Sequence, residues 1–320
     1  MPKLASRPEP QQHPPELRNS SAYMLHWSIA SALEITGFPQ CVGYGQTKPH
    51  RHNSFTHPTR TFKPKRVYQH RSPVISVLFA IMSPPRRALI AVTSAQATLF
   101  QGKETTGLFI SEALHPFKVL RVAGFEVDLA SETGSYTPDW LSQQPDFLNG
   151  NDLTVWNDAN SEFRQKLDNM PKAADLEGSR YGVFYASAGH AALIDYPTAS
   201  GLQKIAEQVW TNGGIVASVC HGPAIFANVI DPGTKEPLIK GKTLTGFTSE
   251  AETTMGIMEE LRSWNKELVE DLAARLGATY KRSEGIWDDY HVVDGRLITG
   301  QNPASAASTA KAVVEAFNAL

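Results

Sequence analysis

The chain has 320 residues, of which 41% are hydrophobic and 19% charged, and its formal net charge is −2. No run of about 18 apolar residues occurs, which excludes a membrane-spanning helix from the reading, and two cysteines, Cys41 and Cys220, make no disulfide framework. The small net charge hides a split: residues 1–82 carry +7 and the rest −9, so the acidic body is a poor partner for nucleic-acid phosphates, and small molecules are the expected substrates.

Residues 1–82 hold ten of the 21 prolines and six of the ten histidines, with little periodicity beyond an apolar patch at 22–38. Such a composition buries too little surface to offset the ordering entropy, and the segment is read as mostly disordered. A transit peptide, a regulatory tail and a translation start at Met82 all fit it. Met82-Ser-Pro-Pro-Arg-Arg leads directly into a first strand, which favours the last. The expected compartment is reducing. It is cytoplasmic, with nuclear presence compatible, or mitochondrial if residues 1–82 are a transit peptide.

From residue 83 to 320 the pattern is regular. Residues 88–94 (ALIAVTS) read as a buried strand and 106–121 as a helix, with Leu108, Ile110, Leu114, Phe117 and Leu120 near helical spacing and Gly124 beyond its end. Strands follow at 125–130 and 181–186. A helix at 202–211 ends at Asn212-Gly213-Gly214, and a strand at 215–219 is succeeded at once by a helix over 223–229. A helix at 269–276 stops at Gly277, Asp294-Gly295 marks a hairpin within 291–299, and 305–317 is a terminal helix. Alternating strands and helices, the strands near-continuous apolar runs, predict one α/β domain over 83–320. Its sheet is mostly parallel with helices on both faces.

Chemistry concentrates at Val219-Cys220-His221-Gly222-Pro223. An apolar strand runs into Cys220 and a helix begins with Pro223 in its first turn, where a missing N–H costs nothing. This is the strand–turn–helix layout of a nucleophile elbow. A cysteine after an apolar strand is more often a small buried hydrophobe, but the adjacent His and Gly-Pro argue for function. Free N–H groups and the positive end of the helix dipole predict a lowered thiol pKa and a place for an oxyanion.

Ala217-Ser218-Val219-Cys220-His221-Gly222-Pro223 resembles the nucleophile motif of the ThiJ/PfpI superfamily. Further segments resemble its fungal heat-shock-type branch of glutathione-independent glyoxalases (glyoxalase III, D-lactate dehydratase). They are Glu112-Ala113-Leu114-His115-Pro116-Phe117, Ser131-Glu132-Thr133-Gly134, Asp195-Tyr196-Pro197, Thr245-Gly246-Phe247-Thr248, Trp287-Asp288-Asp289-Tyr290 and Asn302-Pro303-Ala304-Ser305. The resemblance covers about 86–318 and implies a flavodoxin-like, class I glutamine amidotransferase-like sandwich.

It also points to Glu112 as the carboxylate that contacts the cysteine and serves as general acid/base. It assigns His221 a role through its backbone N–H and as a proton carrier, oriented by Glu252, with Glu250 as runner-up. Ser249 with Glu252 three residues on would equally suit a capping box. Backbone N–H groups of His221 and Gly189, with His190 beside it, would make the oxyanion and substrate-binding part. Ala188 and Ala191 stand where the superfamily usually has glycine, and because alanine resists positive φ a shifted or narrower loop is expected. His115 and His190 have no metal-ligand spacing, so no metal is expected, and no organic cofactor.

The function implied is conversion of methylglyoxal to D-lactate through a Cys220 hemithioacetal, a lyase activity on a small 2-oxoaldehyde. Alternatives are a stress-response holdase chaperone, a protein or nucleotide deglycase, or a cysteine hydrolase of the same fold. The last would need a downstream His followed two residues on by an acid, and His291 is followed by Val292 and Val293. Oligomeric state is open, a homodimer being the candidate.

Overall fold

The computed structural model describes residues 83–320. The expectations placed on residues 1–82, Cys41 among them, lie outside the described residues. Ten elements frame the site: β1 (Arg87–Val92), α1 (Ile110–Val122), β2 (Glu126–Ser131), β3 (Val183–Ala186), α2 (Ser200–Thr211), β4 (Ile215–Val219), α3 (Ser249–Thr254), β5 (His291–Asp294), β6 (Leu297–Gly300) and α4 (Ala306–Asn318).

The six strands form one sheet in the order β5-β6-β4-β3-β1-β2. Pairing is parallel throughout, with Ala88 opposite both Val127 and Val183, and Val216 opposite Leu297. The exception is the β5–β6 hairpin, where Val293 faces Ile298. Every residue of β3 and β4 is buried. Helix α1 packs on α4 and on β1 and β2, α2 packs on β3 and β4, and α4 also covers β4 and β6. A strand wetted on neither face must be apolar along its whole length, which is why Ile215-Val216-Ala217 shows no alternation. Each large side chain so buried contributes roughly 1.5–3 kcal/mol. The expected α/β architecture is therefore present, with the flavodoxin-type order and one added hairpin strand.

Three features differ from expectation by more than a residue or two at an element end. Helix α1 starts at Ile110 rather than 106. Glu104–Thr106 pairs with Ala97–Leu99 in a small hairpin, and the Phe109 N–H is taken by the Ala188 carbonyl at 2.7 Å. The segment after Cys220 is a 3₁₀ helix, Gly222–Asn228, not an α-helix. The cap of α3 is Thr248, whose side-chain oxygen accepts from the Ala251 N–H at 3.0 Å, so Ser249 is inside the helix and Glu252 is released from any capping box.

The chain runs from β1 to β2 on one side and then returns to β3 on the other side of β1. At such a reversal the carboxyl ends of neighbouring strands open a crevice. Glu112 follows β1, Gly189 and His190 follow β3, and Cys220 follows β4, so three separate crossovers deliver the site.

Candidate active site

Cys220 sits at the end of β4 with φ +59, in the left-handed region that a non-glycine residue enters at a cost of about 1–2 kcal/mol. Its N–H donates to the Gly300 carbonyl at 3.0 Å, and its carbonyl accepts from the Phe247 N–H at 2.8 Å, which together hold the turn. Gly222 is required behind it, since a Cβ there would lie 2.5 Å from the Ala186 carbonyl oxygen. Cys220 is 3% exposed.

The neighbouring His221 ring turns back onto the thiol. Its Nδ1 is 3.2 Å from Cys220 Sγ and its Nε2 is 2.7 Å from Glu252 Oε1. Adjacent residues on a turn need not face each other, but here the His221 side chain reaches the sulfur directly, in the position a proton carrier needs. Glu252, on α3, also accepts at Oε2 from His190 Nε2 at 3.0 Å. Burial alone would raise the Glu252 pKa, but His190 and His221 outweigh it and hold the carboxyl well below the usual range. An ionised carboxylate only accepts, so both Nε2 atoms carry protons. A neutral His221 then has a bare Nδ1 facing the thiol.

The three side chains His190, His221 and Glu252 are clustered and buried. Each Nε2 is already spent on one carboxylate oxygen, so we read the cluster as a hydrogen-bonded clamp. Phe247 packs on both rings, its centroid 4.8 Å from His221 and 5.6 Å from His190. Glu250, two residues earlier on α3, points to the surface and pairs with Arg282, so it takes no part in the site. His115 pairs with Asp152, whereas His190 pairs with Glu252. His291 lies exposed on β5.

Glu112 is fully buried on the first turn of α1. Its Oε2 accepts from the Ala188 N–H at 3.0 Å. Oε1 meets no strict hydrogen-bond donor among the described residues, although the Cys220 thiol interacts with the carboxyl. Burial pushes the Glu112 pKa up to about 8, against the smaller opposing pulls of the thiol, the Ala188 N–H and His190. The expected lowering of the Cys220 pKa is reversed. Burial raises it, Glu112 and Glu252 add to that, and the His221 N–H only partly offsets them. The thiol therefore rests protonated and must lose its proton as it reacts.

The turn after β3 completes the arrangement. Gly189 has φ +140, and a Cβ on it would come within 2.1 Å of the Gly107 carbonyl oxygen. Among the described residues its N–H has no acceptor, whereas that of His221 bonds to the Cys220 sulfur. Ala191 has φ −61, and neither it nor Ala188 is in the left-handed region. The two alanines impose no strain, so the anticipated distortion of this loop has no cause. Two neighbours were missed from sequence. Phe247 lay within a motif already singled out. Asp139, 4% exposed and acting electrostatically on His190, carried no local signal.

Comparison with known proteins places these residues in context. The DJ-1/PfpI family (also called ThiJ/PfpI) matches residues 105–316. Glyoxalase 3 of Candida albicans is 49% identical over 231 residues, 72% of this chain and 98% of that protein. The glutathione-independent glyoxalase HSP31 of Saccharomyces cerevisiae is 47% identical, over 73% of this chain and 98% of its own. A crystal structure of glyoxalase III from Candida albicans superposes with a TM-score of 0.72 at 48% identity, covering 73% of this chain and 98% of that one.

Proposed function

Since the chain belongs to the DJ-1/PfpI family, we propose that it is an enzyme of the glutathione-independent glyoxalase type, turning methylglyoxal and water into D-lactate. The observation that carries this is the buried Cys220 with His221 Nδ1 at 3.2 Å and Glu252 behind it. The likeness to glyoxalases over nearly their whole length supports the substrate class.

In this reading the Cys220 sulfur attacks the aldehyde carbon while its proton passes to His221 Nδ1 and on to the new oxygen, giving a hemithioacetal. Glu112, in its ionised form, takes the hydrogen from C1 as a proton and returns it to C2 through an enediol, while the C1 hydroxyl proton moves to the C2 oxygen, leaving a thioester of lactate. A carboxyl with a pKa near 8 exchanges a proton readily at neutral pH, as a shuttle requires. Water, deprotonated by His221, then attacks the thioester, and the same proton goes to the departing sulfur. Substrate carbonyl oxygens would be met by the N–H groups of Gly189 and His221. No step calls on a metal or an organic cofactor. The finer class, a lyase of the D-lactate dehydratase kind, is part of the same proposal.

The test is a chiral lactate assay on the full chain with methylglyoxal and no glutathione. D-lactate is expected from the parent protein and none above background from Cys220→Ala. Turnover retained by a folded Cys220→Ala protein would remove the mechanism.

A further inference from the structure

His190 is joined to the acid that orients the base, yet the proposed chemistry gives it no step. Its Nε2 and that of His221 donate to the two oxygens of one carboxylate, at 3.0 and 2.7 Å, and the two rings lie 4.4 Å apart. One negative charge in a site sealed from water does not support two imidazolium ions at that separation. The clamp therefore holds at most one cationic ring, and the surroundings choose which can be charged.

Apart from the His221 and Phe247 rings, the groups facing His190 are acids. Glu252 bonds to it, Asp139 and Glu112 act on it through space, and Glu104 shares with it a small cavity walled by Leu99, Phe100, Trp140 and Leu141. The groups facing His221 are the Cys220 thiol, Glu252, His190 itself and the Phe247 ring. Asp139 and Glu104 lie against His190 and not His221, while Glu112 stands near both His190 and the thiol.

We infer that His190 is a positioning residue that keeps the positive charge of the clamp, so that His221 rests neutral with Nδ1 open to the thiol. The directions of titration agree. His190 is raised, as Glu252, Asp139 and Glu112 overcome its burial, whereas His221 is lowered, by its burial and by His190, which together outweigh Glu252. A charged His221 would carry protons on both nitrogens and could accept nothing from sulfur. By occupying the charge itself, His190 extends the base form of His221 to lower pH.

His190→Gln tests this, since glutamine keeps a hydrogen-bond donor and removes the charge. The full chain, labelled on its histidine rings, is titrated by NMR without substrate, the His221 signal being identified by its loss in His221→Asn. The His221 midpoint is expected to rise by about one pH unit or more in His190→Gln. An unmoved midpoint in a folded protein overturns the inference. Should His190→Gln fail to fold, Asp139→Asn leaves His190 in place and is expected to lower the His190 midpoint; no change there overturns it equally.

The kinetic arm rests on the proposed glyoxalase function: the acid limb of kcat/KM for methylglyoxal moves to higher pH with His221. A purely structural His190 would lower the rate without moving that limb. Because the titration needs no turnover, a wrong substrate and a wrong role for His190 give different results.

Discussion

Glu112 and Glu252 are almost equally removed from water, 0% and 2% exposed, and both act on the same thiol, yet their protons are held in opposite ways. Glu252 stands between two imidazoles and is kept ionised. Glu112 has one backbone N–H, a thiol and apolar walls, and burial drives it up to about 8. The lesson is that partners, not depth, set the charge of a buried acid. Two carboxylates pushed apart in pKa mark a division of labour, one orienting and one exchanging protons.

Neutralising Glu252 should have the largest effect. Glu252→Gln keeps the shape but removes the charge and replaces one of the two acceptor oxygens with an NH2 donor, so only one histidine keeps an acceptor for its Nε2–H. A loss in kcat of about 10³–10⁴ is expected, by analogy with the carboxylate of serine-protease triads, with little change in KM. A loss under tenfold would show that the tautomer is held by something else.

The comparison sharpens when stability is followed against pH. Glu112 is raised in the folded state from 4.5 to about 8, so its contribution is full below the unfolded value and is lost as pH climbs through about 8. Glu252 is depressed, so its contribution is present above the ordinary Glu range and is lost as pH falls beneath it. Denaturant melts should therefore show Glu112→Gln abolishing part of the alkaline decline, at most a few kcal/mol, while the acid decline stays. Parallel curves for parent and variant between pH 5 and 9 would contradict the buried proton on Glu112.

The smallest effect serves as the control. Glu250 shares α3 with Glu252 but pairs with Arg282 at the surface. Glu250→Gln should change stability by no more than about 1 kcal/mol and leave D-lactate formation unaltered. A large drop in turnover would mean that the assignment of the two acids is reversed.

Much of the frame is legible in the chain. Runs such as 88–94 and 215–219 are apolar without alternation because strands covered on both faces are, and Cys220-His221-Gly222-Pro223 announces a sharp turn through residue types that a turn demands. Other features are not local. The start of α1 depends on Thr106 pairing across a hairpin and Phe109 bonding to Ala188. Glu250 and Glu252 are both plausible on paper. Two positions apart on a helix they face nearly opposite ways, and only the packing of α3 shows which one turns inward.

The α/β alternation, the nucleophile turn and the pool of acids and histidines from which a site could be drawn follow from the order of residues alone. Each of these is written in short-range pattern: periodicity, glycine and proline placement, a cysteine at a strand end. Tertiary structure alone decided that His221 folds back to the sulfur, that His190 shares its carboxylate, and that the thiol rests protonated rather than ionised. Charge in a buried site depends on distances between groups up to 140 residues apart, from Glu112 to Glu252. Those distances exist only once β1, β3 and β4 lie side by side.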